Sequence, residues 1–90
     1  MIEIYASYRT ASGEIVPALV RDLSLGGAYL ETLSPGVFGE RIVLMLKLPD
    51  LEKLATIEAT VRWTKPEGMG VQFGLLGARE THGIVTLLST

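Results

Sequence analysis

Apolar and polar residues alternate along most of this chain, and that period of two limits its possible folds more than any other feature. The longest clean run occupies residues 57–64. Its apolar parity is Ile57, Ala59, Val61 and Trp63, and its polar parity is Glu58, Thr60, Arg62 and Thr64. Successive side chains of a strand point to opposite faces, so one parity is predicted to face a core and the other to face solvent. Trp63 is accordingly predicted to be a core residue.

Five further segments repeat this alternation and are separated by turn residues, so each is predicted to be a strand. They lie at about residues 2–9, 14–21, 28–32, 41–48 and 69–73. Pro17 lies inside the second segment and removes one ladder donor, which predicts an edge strand or a bulge at that point. Tyr5 and Tyr29 fall on outward parities, where they could form an aromatic contact surface or ordinary half-buried positions.

Toward the C-terminus the period changes from two to a roughly helical spacing. The residues that recur at this spacing are Leu76, Glu80, Ile84, Leu87 and Leu88. One short amphipathic helix is predicted there, and Gly83 weakens it by about 1 kcal/mol relative to alanine. Six strands and one helix predict a single, mainly all-β domain over residues 1–90, either a small antiparallel barrel or a sandwich. A barrel is favoured because closure removes exposed strand edges.

The composition excludes several classes of protein. Since the chain has no cysteine, neither a disulfide framework nor a thiolate metal site is expected, and the composition suits a reducing cytoplasm. The N-terminus does not read as a signal peptide, and the longest strongly apolar run, residues 42–46, is too short to cross a bilayer. The net charge is −2 with scattered lysines and arginines, which argues against a nucleic-acid polymer as partner. We therefore expect a cytoplasmic domain without membrane insertion.

The sequence Asp22-Leu23-Ser24-Leu25-Gly26-Gly27 carries the most chemical information in the chain. It is predicted to connect two strands, where Asp22 and Ser24 would present an acceptor and a donor–acceptor group side by side. Two interpretations stay open, because these side chains can hydrogen-bond their own turn or contact a ligand. For Gly26 and Gly27, a role in backbone conformation is favoured over contact with a ligand.

Few cations are available to such a site. Arg9 and Arg21 are the only ones near the turn in sequence, so they are the candidate phosphate-binding residues, although solvated strand positions explain them equally well. Arg62 lies on an outward parity and could reach a ligand on the barrel surface.

Catalysis is not expected from these residues. The chain has no cysteine nucleophile, no histidine near Ser24 in sequence and no metal-ligand spacing. The only histidine, His82, is predicted to be exposed on the C-terminal helix. We therefore expect no catalytic residue, no metal and no resident cofactor.

The turn at Asp22 is followed along the chain by Val61-Arg62-Trp63 and then by Gly70-Val71-Gln72-Phe73. In this order and spacing, the segments make the chain resemble a PilZ domain, from about residue 4 to residue 76. The resemblance implies a six-stranded antiparallel β-barrel that ends in a helix. It also implies a role as a bacterial receptor or adaptor for the second messenger cyclic di-GMP.

Members of this family that bind the nucleotide use two sequence elements. In the first, an Asp-x-Ser-x-x-Gly turn hydrogen-bonds guanine edges, and the matching residues here are Asp22, Ser24 and Gly27. In the second, an upstream Arg-x-x-x-Arg segment clamps phosphates and stacks on bases. The family's spacing places that second element at Met1 or before it, and residues 5–9, the nearest internal segment, have tyrosine in place of the first arginine.

The resemblance therefore implies that these residues carry half of a nucleotide site, and either the site binds weakly or a partner or an upstream segment supplies the arginines. Two arginines that each make a charge-assisted bond of about 1.5–3 kcal/mol would account for several orders of magnitude in affinity. We expect cyclic di-GMP to bind weakly or undetectably to this chain alone. The alternative function is a nucleotide-independent protein–protein adaptor in pilus or motility machinery, acting through an apolar outer face at Val43 and Met45 or through the C-terminal helix.

Overall fold

The computed structural model describes residues 2–49 and 51–89, which form six β-strands followed by one α-helix. The strands are β1 (Ile4–Arg9), β2 (Ile15–Leu23), β3 (Gly27–Glu31), β4 (Arg41–Leu46), β5 (Ala55–Lys65) and β6 (Gly68–Phe73), and the helix is α1 (Ala78–Leu88). All paired strands are antiparallel, and the order β1-β2-β3-β6-β5-β4 closes into a barrel because β4 also pairs with β1. The predicted mainly-β barrel with a short C-terminal helix is confirmed. Asp50, in the predicted connection after β4, lies outside the described residues.

The predicted alternation accounts for most of the core. On β4, Ile42, Leu44 and Leu46 are buried, whereas Val43 and Met45 between them are only half-buried. The other strands contribute inward residues in the same way, among them Tyr8, Val20, Leu30, Ile57, Val61, Met69 and Phe73. Among the described residues, these side chains fill the barrel interior.

Two register shifts interrupt the alternation, and each adds one residue to a strand. The first lies at Arg21 in the pairing of β2 with β3, and the second lies at Arg62 in the pairing of β5 with β6. One extra residue reverses the parity of the rest of its strand, so Trp63 points outward although Val61 points inward. The prediction that Trp63 is a core residue is wrong, since its side chain is 49% exposed.

Of the two alternatives predicted for Pro17, an edge or a bulge, the structure shows a local strand edge and no bulge at this residue. Pro17 pairs with Ser7 of β1, while the pairing of β2 with β3 begins only at Leu19. At Pro17, strand β2 therefore has a single paired neighbour, which tolerates a residue that cannot donate to a ladder. The Pro17 carbonyl oxygen instead accepts a hydrogen bond from Thr32 Oγ1 at 3.2 Å.

The two ends of the barrel are closed by different segments. At one end, the β3–β4 loop is held by a hydrogen bond from the buried Tyr8 hydroxyl to the Ser34 carbonyl oxygen and by the Gly36 amide, which lies 3.2 Å from Met69 Sδ. Burial raises the pKa of Tyr8, which keeps its hydroxyl protonated as the donor in this bond. At the other end, helix α1 packs its buried residue Ile84 against the core. Among the described residues, no helix is long and apolar enough to span a membrane.

Gly83 has a packing role in α1 that its low helix propensity conceals. A Cβ atom at Gly83 would lie 2.9 Å from Leu48 Cβ, so only glycine lets the helix approach the barrel this closely. Leu88, predicted on the same apolar face, is instead 47% exposed. The face that α1 presents to the barrel is therefore centred on Gly83 and Ile84.

We predict that Gly83→Ala destabilises the protein although alanine is the better helix former. The propensity gain of about 1 kcal/mol should be outweighed by overpacking against Leu48, so the free energy of unfolding should fall by about 1–2 kcal/mol in urea titrations. The control Val85→Ala, at an exposed position of the same helix, should change it by no more than about 0.5 kcal/mol. A stabilised Gly83→Ala variant would contradict the close packing of α1.

Candidate functional site

The loop between β2 and β3 is shorter than the sequence predicts, because β2 continues through Asp22 to Leu23. The Ser24 amide donates to the Gly27 carbonyl oxygen at 2.9 Å and closes the turn. The Ser24 hydroxyl oxygen accepts from the amides of Gly26 and Gly27, both at 3.2 Å. Ser24 therefore stabilises its own turn, and this arrangement fixes the direction of the neighbouring backbone.

The two glycines of the turn have different surroundings. A Cβ atom at Gly27 would overlap the Val71 carbonyl oxygen, so Gly27 is required for the close approach of β3 to β6. At Gly26 the nearest atom to such a Cβ is Ser24 Oγ at 3.9 Å, an ordinary contact beside open space. Gly27 thus has a structural task that explains it without a ligand, whereas Gly26 leaves room for one.

Asp22 and the turn line an open pocket of about 340 Å³ on the outer surface of the barrel. Arg62, Trp63 and Gln72 line the same pocket from β5 and β6. The strand registers bring these residues together, because Asp22 pairs with Tyr29, Tyr29 with Gly70, and Gly70 with Trp63. Among the described residues, the exposed Asp22 carboxylate has no hydrogen-bond or ion-pair partner, so it remains available as an acceptor.

Tyr29 and Trp63 form a stacked aromatic pair on the outer surface. Their ring centroids are 5.4 Å apart and the rings are inclined by 9°. Both rings occupy space that glycine leaves empty, since a Cβ atom at Gly68 would overlap the Tyr29 ring and one at Gly70 would overlap the Trp63 indole. The half-exposed indole therefore provides an apolar, polarizable surface beside the Asp22 carboxylate.

A second pocket, of about 600 Å³, lies on the other side of the aromatic pair. Its charged lining residues are Arg21, Asp22, Glu31, Lys65 and Glu67. Its two cations are already engaged. Arg21 Nη1 lies 3.4 Å from Glu3 Oε2 and 3.5 Å from Glu31 Oε1, and Lys65 Nζ lies 3.4 Å from Glu67 Oε1 and 5.1 Å from the Tyr29 ring centroid. The hydrogen bond to Glu67 raises the pKa of Lys65, which keeps the ammonium charged.

The structure separates the two arginines that the sequence proposes as phosphate-binding residues. Arg21 lies beside Asp22, but Arg9 lines a different pocket between β1, β4 and β5, together with Val43 and Glu58. Arg9 is expected at the turn because it is close to it in sequence, but the arginine that lines the pocket beside the turn is Arg62. The bulge in β5 brings Arg62 there. The stacking of Tyr29 on Trp63 is not predicted from the sequence. The one feature that could have indicated it is the Gly-x-Gly sequence at residues 68–70, because the two rings lie over these glycines.

The only histidine of the sequence lies away from this surface. His82 lies on α1 with Nε2 3.5 Å from Thr86 Oγ1, and it lines a pocket formed with residues 51–55, not the pocket of Ser24. Within residues 2–49 and 51–89, no group of three or more histidine, cysteine, aspartate or glutamate side chains could hold a metal ion. The chemistry that the Asp22 surface offers is hydrogen bonding, stacking and charge pairing.

Comparisons with known proteins agree with this architecture. Residues 3–89 match the model of the family described as PilZ domain. Among solved structures, the fold is similar to the crystal structure of the PilZ domain of CeSA from a cellulose-synthesizing bacterium, with a TM-score of 0.75 and 17% sequence identity. That match covers 96% of this chain and 89% of the other. A search of curated proteins found no significant match.

We predict opposite effects for alanine at the two glycines of the turn. Gly27→Ala should lower the free energy of unfolding by about 2–3 kcal/mol, because the methyl group meets a backbone carbonyl that cannot rotate away. Gly26→Ala should be neutral or stabilising by up to about 1 kcal/mol, since it restricts the unfolded chain without a clash. Urea titration of both variants measures the difference, and equal effects would contradict the tight β3–β6 contact.

Proposed function

The chain belongs to the PilZ domain family, and on that premise we propose that it is a bacterial signalling module that binds cyclic di-GMP weakly at the Asp22 surface. The observation that supports this proposal most is the convergence of Asp22, Arg62 and Trp63 on one open pocket. Cyclic di-GMP contains two guanines and two phosphates, so its binding requires an acceptor for guanine N–H groups, a stacking surface and cations. These three residues supply one group of each kind.

Each group has a distinct task in this proposal. The Asp22 carboxylate accepts hydrogen bonds from the N–H groups of a guanine edge. The Trp63 indole stacks on a base, a contact that contributes about 1–3 kcal/mol in proteins that bind single-stranded nucleic acids. The Arg62 guanidinium pairs with a phosphate. Ser24 and Gly27 act indirectly, because they hold the turn that leaves Gly26 open to the ligand.

Weak binding follows from the number of available cations. Arg21 and Lys65 lie near the pocket, but their charges are paired with Glu31 and Glu67, and Arg9 is on another part of the barrel. Each arginine of the Arg-x-x-x-Arg element would make a charge-assisted bond of about 1.5–3 kcal/mol to the ligand. A site without these two bonds should bind more than about a hundredfold more weakly than a site that makes both. We therefore infer a dissociation constant of about 10–100 μM or higher for this chain alone.

We infer that the chain acts by binding and not by catalysis. Ser24, the only hydroxyl residue of the motif, is engaged in its turn, and His82 lines a separate pocket and cannot serve it as a base. A cytoplasmic binding module of this kind would transmit its signal by contact with a protein partner. The half-buried outward residues Val43 and Met45 are the candidates for that contact.

Calorimetric titration with cyclic di-GMP tests this proposal. The wild-type chain should bind with a dissociation constant of about 10–100 μM or higher. Asp22→Ala and Trp63→Leu should each weaken binding at least about fivefold, because each removes one contact of about 1–3 kcal/mol. The control Arg9→Gln also removes one positive charge, but from a different pocket, and it should leave the affinity within about twofold.

Three results would count against the proposal. A dissociation constant near or below about 1 μM would contradict weak binding. Wild-type binding that neither Asp22→Ala nor Trp63→Leu reduces would contradict the location of the site. No detectable binding at millimolar nucleotide would contradict cyclic di-GMP as the ligand.

A further inference from the structure

We propose that Arg21 is a phosphate-binding cation of this site and that Glu3 and Glu31 restrain it, so that these two carboxylates set the affinity for the ligand. The inference rests on the proposed function and adds a means of regulating the same site. It concerns the pocket on the far side of the aromatic pair, which Arg21 lines together with Asp22, Tyr29 and Trp63.

The position of Arg21 follows from the bulge in β2. Val20 and Leu23 both point into the core, so Arg21 and Asp22 occupy the outer surface between them as consecutive residues. This places a guanidinium and a free carboxylate acceptor at the rim of one pocket. A guanine nucleotide needs that combination, because its base presents N–H donors and its phosphate presents negative oxygens.

One nitrogen of the guanidinium lies within ion-pair distance of two carboxylates, one on each side of β2. Arg21 Nη1 lies 3.4 Å from Glu3 Oε2, just before β1, and 3.5 Å from Glu31 Oε1 on β3. The backbone reinforces the first pair, since the Ile2 amide donates to the Arg21 carbonyl oxygen at 3.2 Å. The arginine side chain is 27% exposed, whereas those of Glu3 and Glu31 are 67% and 49% exposed. The carboxylates are therefore more exposed to solvent than the charge that they pair with.

This arrangement makes the carboxylates competitors of a phosphate. A phosphate that approaches Arg21 meets Glu31 at the pocket rim and a further carboxylate, Glu67, in the lining. Exposed ion pairs are weak and exchange readily, so an anion can displace them, but like-charge repulsion opposes its entry. Removing the two carboxylate charges should weaken the restraint on Arg21 and lower that repulsion together.

Substituting glutamine for glutamate removes the negative charge with little change in side-chain shape, so it tests whether the carboxylates restrain Arg21. The double variant Glu3→Gln/Glu31→Gln should bind cyclic di-GMP about five- to tenfold more tightly than the wild type in calorimetric titrations at low salt. Arg21→Gln added to this double variant should abolish the gain, since the gain acts through the guanidinium. The matched control Glu52→Gln/Glu58→Gln also removes two carboxylates, one from the pocket of His82 and one from the pocket of Arg9, and it should change the affinity by less than about twofold.

The outcomes separate this inference from the proposed function. If Asp22→Ala abolishes wild-type binding while Glu3→Gln/Glu31→Gln leaves it unchanged, the proposed function stands and the restraint is overturned. A gain that persists with Arg21→Gln, or that Glu52→Gln/Glu58→Gln reproduces, also overturns it, because the effect is then one of net charge. If no variant binds at millimolar nucleotide, the function and the restraint both fail.

Discussion

One extra residue in each of two strands determines what the outer surface of this barrel can do. At Arg62 the bulge turns Trp63 from the core to solvent, and at Arg21 it places a cation and a carboxylate side by side. Without these two register shifts, strict alternation would bury the indole and separate Arg21 from Asp22 on opposite faces. The candidate site therefore depends on two local departures from the pattern that builds the rest of the fold.

Most positive charges on this surface are paired with carboxylates, unlike those of a site whose cations are free to bind an anion. An aromatic pair lies over two glycines, and the cations around it are largely paired with carboxylates from adjacent strands. Such a surface offers stacking and hydrogen bonding freely, but beyond Arg62 it offers positive charge only after the ion pairs of Arg21 and Lys65 have been exchanged. In a PilZ domain this would make ligand affinity a matter of electrostatic competition, adjustable at positions such as Glu31 that need not contact the ligand.

The period of two in the sequence is sufficient to predict the strands, most of the core and the position of the turn, because strand burial repeats every second residue. It leaves a barrel and a sandwich both possible, and the barrel is predicted from the removal of exposed strand edges and from the family resemblance. The alternation cannot predict the bulges, because an extra residue in a strand has no signature of its own in the sequence. Trp63 is therefore assigned to the core from the sequence, since the bulge that turns it outward is not foreseen. Arg9 is close to the turn in sequence and is therefore predicted to lie at the site, but in the barrel it lines another pocket. Propensity alone makes Gly83 a weak helix residue, whereas its role depends on the packing of α1 against Leu48.

The accessibility of Trp63 tests the central claim most directly, because it is the only tryptophan in the chain. Acrylamide quenching of its fluorescence in the folded protein should show a solvent-accessible indole, and saturating cyclic di-GMP should protect it. Both results together would support an outward indole that lies under the ligand. An indole that the quencher cannot reach in the free protein would contradict the bulge at Arg62, and an accessible indole that saturating nucleotide fails to protect would contradict its place in the site.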